Sequence, residues 1–175
     1  MTDRNQEDLR YMQMALDMAK LGRGYTNPNP MVGAVIVKDG QVIAKGYHHC
    51  CGQGHAEVEA FKDAGNQDVT GATIYVTLEP CSHYGKTPPC ADKIIEKKIG
   101  RVVVGALDPN PLVAGRGIEK IRNAGIEVTT GVLAEESIKL NEIFMKYIVN
   151  KEPFVLYKSA MSLDGKIATV SGESQ

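Results

Sequence analysis

The chain has 175 residues, of which 43% are hydrophobic and 23% are charged, and its formal net charge at pH 7 is −1. This length predicts a single domain with one hydrophobic core. No apolar run approaches the roughly 18 residues that a transmembrane helix needs, and the polar segment 1–10 does not resemble a signal peptide. We therefore expect a cytoplasmic protein without a membrane partner. The nearly balanced charge also gives no reason to expect nucleic acid as a partner.

The first half of the chain predicts a helix, a hairpin, a second helix and a buried strand. Residues 7–20 place apolar side chains on one face, which favours an amphipathic helix. Two β-rich runs meet at Asp39-Gly40, a strong hairpin signal. A helix is predicted at 55–64, and the mostly apolar run 72–78 predicts a strand buried on both faces.

The second half alternates between strand patterns and helix patterns. A helix pattern follows a strand pattern twice, at 101–107 then 117–124 and at 126–133 then 135–147. This alternation indicates an α/β fold whose second half is parallel, and the hairpin makes the sheet mixed. A further run begins like a buried strand at Phe154, without a closing element. It predicts the start of a second domain, with a frayed C-terminus as the alternative.

The segment 79–90, EPCSHYGKTPPC, concentrates reactive and rigid residues. Cys81 and Cys90 lie at its ends, and each directly follows a proline. Proline suits the first positions of a helix, so we expect a helix to start at each cysteine. The helix that starts at Cys90 is predicted to span residues 90–98. A helix N-terminus favours the thiolate, which is the form of cysteine that binds metal ions.

His55 completes a candidate zinc site with Cys81 and Cys90. One imidazole and two thiolates match the ligands that zinc prefers, and they leave a fourth position for water, as in catalytic zinc sites. A structural zinc site would instead need a fourth protein ligand, for which His83 and Cys50 are candidates. We otherwise interpret Cys50 and its neighbour Cys51 as packing or exposed thiols, because adjacent cysteines rarely form a bridge.

Glu57 follows His55 by two positions and is the candidate catalytic residue. Side chains fan around the end of a helix in its first turn, so His55 can bind the metal while Glu57 acts as a general acid and base toward water. Zinc-dependent deaminases have the signature H-x-E followed by P-C-x-x-C. HAE and the first P-C match that signature, whereas a longer loop separates Cys81 from Cys90.

From about Glu7 to its end, the chain resembles the N-terminal deaminase half of the bacterial bifunctional riboflavin-biosynthesis deaminase–reductases. The matching segments are NPNPMVGAVIV, GHAEVEA, YVTLEPCSHYGKTPPC, DPNPLVAGRGI and KSAMSLDGKIA. The resemblance implies a cytidine-deaminase-like three-layer α/β/α sandwich with a mixed central sheet and one Zn²⁺ per chain. It also implies hydrolytic deamination of 2,5-diamino-6-ribosylamino-4(3H)-pyrimidinone 5′-phosphate to 5-amino-6-(5-phosphoribosylamino)uracil.

The same resemblance divides the chain into a deaminase domain at 1–150 and the start of a truncated reductase domain at 151–175. NADPH would bind only in the reductase half, where Ala160 and Ser174 are the candidate contacts. Two other functions remain open, namely a different zinc nucleoside or tRNA-adenosine deaminase and a non-catalytic zinc-binding module. Deaminases of this superfamily often associate, which leaves a homo-oligomer open as well.

The resemblance assigns three polar turn residues to substrate binding. Asn29 lies in the TNPNP turn, and Asp108 and Asn110 lie in the DPNP turn, where they would hold the ribosyl hydroxyls. The DPNP turn follows a predicted strand, and ligands of α/β proteins bind at the carboxyl ends of strands. The alternative for all three residues is a turn-stabilising role.

The remaining candidate contacts to a small phosphorylated pyrimidine are two histidines, a lysine and a threonine. His48 follows the hairpin and would face the phosphate or the base, with a surface histidine as the alternative. His83 and Lys86 are candidate phosphate contacts in the proline-rich loop, and Thr87 is a candidate hydroxyl donor. A lysine can meet a phosphate as a point charge, and the alternative is a solvated side chain.

Overall fold

The computed structural model of the chain describes residues 3–84, 88–110 and 113–172. These residues contain the strands β1 (Gly33–Lys38), β2 (Gln41–Tyr47), β3 (Thr73–Leu78), β4 (Arg101–Ala106) and β5 (Glu127–Thr130). The strands form one sheet in the order β2-β1-β3-β4-β5. β1 is antiparallel to β2 and β3, whereas β3, β4 and β5 run parallel. The predicted mixed sheet with a parallel second half is confirmed.

The helices of the described part are α1 (Asp3–Lys20), α2 (Ala56–Ala64), α3 (Cys90–Glu96), α4 (Arg116–Asn123), α5 (Ala134–Leu140) and α6 (Glu142–Asn150). Side chains alternate across β4, so Val102 and Val104 pack in the cluster under α2, α3 and α4, and Val103 packs with α1. α5 lies on the same face as α1. The expected three-layer α/β/α sandwich is confirmed. None of the described helices combines the length and the apolar character that a membrane crossing requires.

The hairpin between β1 and β2 turns at Asp39 and Gly40, as predicted. Both residues have positive φ, 51° and 74°, which is the backbone of a tight hairpin turn that glycine and aspartate tolerate. The hydroxyl of Tyr11 in α1 donates a hydrogen bond to the Gly40 carbonyl at 2.6 Å. This hydrogen bond therefore links α1 to the turn of the hairpin.

The helix predicted at 135–147 is interrupted in the structure. α5 ends at Leu140 and α6 begins at Glu142, because Asn141 leaves the helical backbone region with φ −111° and ψ 23°. The buried Asn141 amide accepts a hydrogen bond from the Met31 N–H at 2.7 Å and donates one to the Met31 carbonyl at 2.8 Å. The break thus places a polar side chain against the turn that precedes β1.

The strand predicted from Phe154 is absent from the described residues 151–172. Val155, Leu156 and Tyr157 are 78%, 82% and 86% exposed, so the expectation that this run is buried is also wrong for this chain. A strand requires a neighbouring strand for its backbone hydrogen bonds, and this run pairs with none in the described part.

Candidate metal centre

Three elements bring the candidate metal ligands together beyond the carboxyl end of β3. His55 directly precedes α2 and Cys90 is the first residue of α3, as expected for both. The expectation that Cys81 begins a helix is wrong, because residues 81–84 are not helical. The Cys81 sulfur instead accepts a hydrogen bond from the Cys90 N–H at 3.3 Å, so it lies at the start of α3 rather than at a helix start of its own.

The geometry of this group fits a zinc ion. The His55 Nδ1 atom lies 3.5 Å from the Cys81 sulfur and 3.3 Å from the Cys90 sulfur, and all three donor atoms are within 4.8 Å of one another. Tetrahedral bonds of about 2.0 Å to nitrogen and about 2.3 Å to sulfur would place such atoms about 3.6 Å apart. Among the described residues, neither His83 nor Cys50 joins the group. The arrangement therefore resembles a three-ligand catalytic site rather than a closed structural one.

The two thiols differ in acidity because they share a proton. A hydrogen bond from the Cys90 thiol lowers the pKa of Cys81 despite the opposing effect of burial, and His55 acts in the same direction as Cys90. The hydrogen bond with Cys81 and burial raise the pKa of the Cys90 thiol. The contact with Cys81 also raises the pKa of His55. A divalent cation would supply the positive charge that lets both sulfurs ionise.

Glu57 lies in the first turn of α2 beside the candidate ligands. Its side chain is 3% exposed and hydrogen-bonds to the Cys90 thiol and to its own backbone N–H. Burial, together with the negative charge of Cys81, raises the pKa of Glu57 to about 7. A buried carboxyl next to a candidate metal site is the arrangement expected for a group that exchanges protons during catalysis.

His48 and Asn29 form a hydrogen-bonded pair next to this group. His48 is 3% exposed, so the alternative of a surface histidine is wrong. Its Nδ1 lies 3.0 Å from the Gly54 carbonyl, which can only accept, so Nδ1 carries the hydrogen and Nε2 accepts from the Asn29 amide at 3.1 Å. Burial lowers the pKa of His48 and keeps the ring neutral. The ring centroid lies 5.7 Å from that of His55.

The loop after β4 brings Asp108 and Asn110 to the same end of the sheet. Asp108 accepts a hydrogen bond from the Asn110 N–H at 2.8 Å, which is the local turn considered as the alternative role. Burial raises the pKa of Asp108, with the charge of Cys81 acting in the same direction and His83 opposing it. The charges of Cys81 and of the exposed His83 both affect Asp108, so its side chain lies near both residues. Asp108 therefore belongs to the candidate site as well as to the local turn.

Three further predictions cannot be placed. Lys86, Thr87 and Ser174 lie outside the described residues, and Ala160 lies in the exposed segment that follows α6. Cys50 is half-buried and Cys51 is exposed, which agrees with the interpretation of both as thiols outside the metal group.

Sequence patterns did not identify what the carboxyl group of Glu79 contacts. This side chain is 5% exposed, and its carboxylate accepts hydrogen bonds from four backbone N–H groups between Asp108 and Ile118. The available signal was an acidic residue directly after a strand that is otherwise buried. A carboxylate in that position must find hydrogen-bond donors when the chain folds.

Comparison with known proteins identifies the family of the chain. Residues 5–106 match the model of the cytidine and deoxycytidylate deaminase zinc-binding region. The riboflavin biosynthesis protein RibD of Aquifex aeolicus is 55% identical over 168 residues, which are 96% of this chain and 47% of that protein. RibD of Escherichia coli is 50% identical over 169 residues, covering 97% of this chain and 46% of that protein.

Solved structures agree with this assignment. A diaminohydroxyphosphoribosylaminopyrimidine deaminase/5-amino-6-(5-phosphoribosylamino)uracil reductase from Thermotoga maritima is 52% identical to the chain, with a TM-score of 0.95. The match covers 98% of this chain and 50% of that one, so the chain spans about half the length of the relatives it matches. The resemblance recognised in the sequence is confirmed. The chain belongs to the cytidine and deoxycytidylate deaminase zinc-binding family.

Proposed function

We propose that the chain is a zinc-dependent aminohydrolase that converts 2,5-diamino-6-ribosylamino-4(3H)-pyrimidinone 5′-phosphate and water into 5-amino-6-(5-phosphoribosylamino)uracil and ammonia. The observation that carries the proposal is the group of His55, Cys81 and Cys90 with the buried Glu57 beside it. Identity of 50% or more to several RibD proteins supports this substrate over a nucleoside.

Glu57 moves the protons of this reaction. A zinc ion held by His55, Cys81 and Cys90 would lower the pKa of a bound water to about 7 and so supply the nucleophile at neutral pH. Glu57 accepts a proton as the water oxygen bonds to the ring carbon that carries the amino group. Glu57 passes this proton to the ring nitrogen, then takes the remaining proton from the added hydroxyl and gives it to the departing amine, so that the carbon–oxygen double bond forms, the carbon–nitrogen bond breaks and ammonia leaves.

Two sets of polar side chains near this centre hold the substrate. Asn29 binds the base beside the neutral His48, whose hydrogen bond to Asn29 fixes the orientation of the amide. Asp108 and Asn110 form the second set and bind the ribosyl hydroxyls. His83, with Lys86 and Thr87 from the same loop, binds the phosphate by charge and hydrogen bonding.

We further propose that residues 1–150 form the deaminase domain and that residues 151–175 belong to a second, reductase domain. The exposed apolar side chains of 154–157 support this division, because such a run is normally covered by further structure. NADPH, with Ala160 and Ser174 as candidate contacts, would belong to that second domain. A cytoplasmic location suits the proposal, since a reducing compartment keeps Cys81 and Cys90 available for zinc.

The test is metal analysis combined with an ammonia assay. We expect one zinc per chain and ammonia release from the diaminopyrimidine phosphate, lost on chelation and restored by zinc. dCMP and cytidine serve as competing substrates, because the family model includes enzymes of that class. Turnover of dCMP or cytidine alone would replace the proposal with a different zinc deaminase, acting on a nucleoside or its phosphate. Zinc without turnover of any of the three would leave the tRNA-adenosine deaminase and the non-catalytic module, which ammonia release from tRNA would separate.

A further inference from the structure

The carboxylate of Glu79 uses both of its oxygens to bind the backbone of one distant segment. Oε2 accepts hydrogen bonds from the N–H groups of Gly115 at 3.0 Å and Asp108 at 3.4 Å. Oε1 accepts from Gly117 at 3.1 Å and Ile118 at 3.4 Å. All four described partners are neutral amides, so the buried charge is stabilised by oriented N–H groups rather than by a cation.

These amides lie at both ends of the loop that joins β4 to α4. Asp108 lies near the start of the loop, Gly115 at its end, and Gly117 and Ile118 in the first turn of α4. The first N–H groups of a helix have no partner within the helix, which makes them available to the carboxylate. The Glu79 side chain therefore joins the two ends of the loop that carries Asp108 and Asn110.

The same short segment is also fixed to the sheet and to the metal centre. The Glu79 N–H donates to the Ala106 carbonyl at 3.0 Å, which continues the pairing of β3 with β4. Gly117 approaches so closely that a Cβ atom there would lie 1.9 Å from the Pro80 carbonyl oxygen. Cys81 follows Pro80 directly. Glu79 and Pro80 therefore connect the candidate metal ligand Cys81 to the candidate ribose-binding loop.

We propose that Glu79 is a positioning residue that sets the distance between the metal centre and the Asp108–Asn110 loop. The proposal rests on the function proposed above. The local hydrogen bond between Asp108 and Asn110 shapes the turn but does not fix it relative to Cys81, whereas the four contacts of Glu79 do. Small displacements of substrate-holding groups have large effects, because a shift of about 1 Å can lower kcat/KM by up to about 10²-fold.

The test compares Glu79→Gln with a matched control in the full chain. Glutamine preserves the size, but its NH₂ group faces two N–H donors and loses one pair of hydrogen bonds. We expect unchanged zinc content, a KM about tenfold higher and a kcat changed less than about threefold, as for a residue that acts on substrate binding. Amide hydrogen exchange at Gly115, Gly117 and Ile118 should accelerate without any substrate present.

The control is Asp8→Asn, which alters another buried carboxylate at the opposite end of the sheet. Asp8 is 4% exposed and Glu79 is 5% exposed, so both variants remove a buried charge. We expect Asp8→Asn to lower stability without changing KM. Should Glu79→Gln not fold, Glu79→Asp retains the charge with a shorter reach, and we expect a smaller rise in KM together with faster exchange at the same amides.

Two outcomes would overturn the proposal. Faster exchange with an unchanged KM would make Glu79 a stabilising residue without an effect on the site. An equal rise in KM for Asp8→Asn would attribute the change to general loss of stability. If the wild-type chain releases no ammonia, the proposed function fails, and unchanged exchange in Glu79→Gln would then separately reject the loop contact.

Discussion

Asp8 and Glu57, at opposite ends of the parallel strands, are buried carboxyl groups with opposite surroundings. At the amino end, Asp8 receives two hydrogen bonds of 2.7 Å from the Arg101 guanidinium and one of 2.9 Å from the Tyr75 hydroxyl. At the carboxyl end, Glu57 has a thiol and its own backbone N–H as partners. Asp8 is thus fully paired, whereas Glu57 is buried next to other acidic groups.

The difference appears in the acidity of the two side chains. Burial alone would raise the pKa of Asp8, but the hydrogen bonds from Arg101 and Tyr75 hold it below its ordinary value. At Glu57 burial outweighs the opposing effects of His55, its own N–H and Cys90, and the pKa rises to about 7. Burying a carboxylate without a cation costs stability, and such costs are concentrated where a protein carries out chemistry. Asp8 therefore stabilises the fold, whereas Glu57 is placed where it can exchange protons.

The largest expected effect comes from replacing Glu57 with glutamine. Because the amide cannot carry protons, we expect deamination to fall by about 10³-fold or more, while zinc content stays at the wild-type level. The free energy of unfolding should stay the same or increase, since the variant removes a poorly solvated carboxylate. Ammonia release, metal analysis and urea unfolding measure the three quantities.

Glu59→Gln provides a matched control for this prediction. Glu59 lies on the same helix and forms an ion pair with Lys62 at 2.7 Å, and its replacement should leave deamination close to the wild-type rate. Full activity in Glu57→Gln would show that this carboxylate does not carry the protons.

A smaller effect, on stability alone, is expected from Arg101→Met. The change leaves Asp8 buried without its cation, and breaking such a pair should lower the free energy of unfolding by about 3 kcal/mol. Activity per folded molecule should not change, because the pair lies at the opposite end of the sheet. Arg4→Met, which removes an exposed ion pair with Glu127, should cost less than about 1 kcal/mol. Equal losses in both variants would contradict the special role of the buried pair.

The Asp8 contact should also make stability depend on pH in acid. The pKa of Asp8 is lower in the folded chain than the ordinary value of 3.8, so the unfolded chain takes up the proton first as pH falls. The stabilisation is complete above pH 3.8 and is lost as the pH drops through the folded value. The difference in urea unfolding between the wild type and Asp8→Asn should therefore begin to narrow below about pH 4 and close only below the folded pKa of Asp8. A constant gap between the two would assign the effect to another carboxylate.

Local patterns in the sequence predicted the five strands of the sheet, most of the helices and the candidate metal ligands, since those signals lie within a few residues. The Asp39-Gly40 turn requires positive φ, which these two residue types tolerate. An H-x-E motif with two Pro-Cys pairs identifies the nitrogen and sulfur ligands that zinc prefers. Even there, Cys81 and Cys90 resembled each other in sequence, and only Cys90 begins a helix. The position of Cys81 depends on a hydrogen bond across the loop, which spacing does not reveal.

The contacts that the sequence did not reveal join residues far apart in the chain. Arg101 and Asp8 are 93 positions apart, and Asn141 and Met31 are 110 apart. Each pair forms only after the sheet brings distant segments together, and a polar residue at one position does not indicate which partner it will meet. Asn141 looked like an interior residue of a long helix for that reason. A single sequence therefore predicts candidate chemistry better than it predicts the contacts that position it.

The smallest expected effect concerns the cysteines outside the metal group. Cys51 is exposed and is not among the three grouped donors, so Cys51→Ser should leave zinc content and deamination unchanged. Cys81→Ser makes the same chemical change in a ligand and should lose zinc on dialysis, because zinc prefers a thiolate to a hydroxyl. Metal analysis of the two variants therefore compares a thiol inside the metal group with a thiol outside it. Zinc loss in Cys51→Ser would mean that the metal binds elsewhere than at the His55 group.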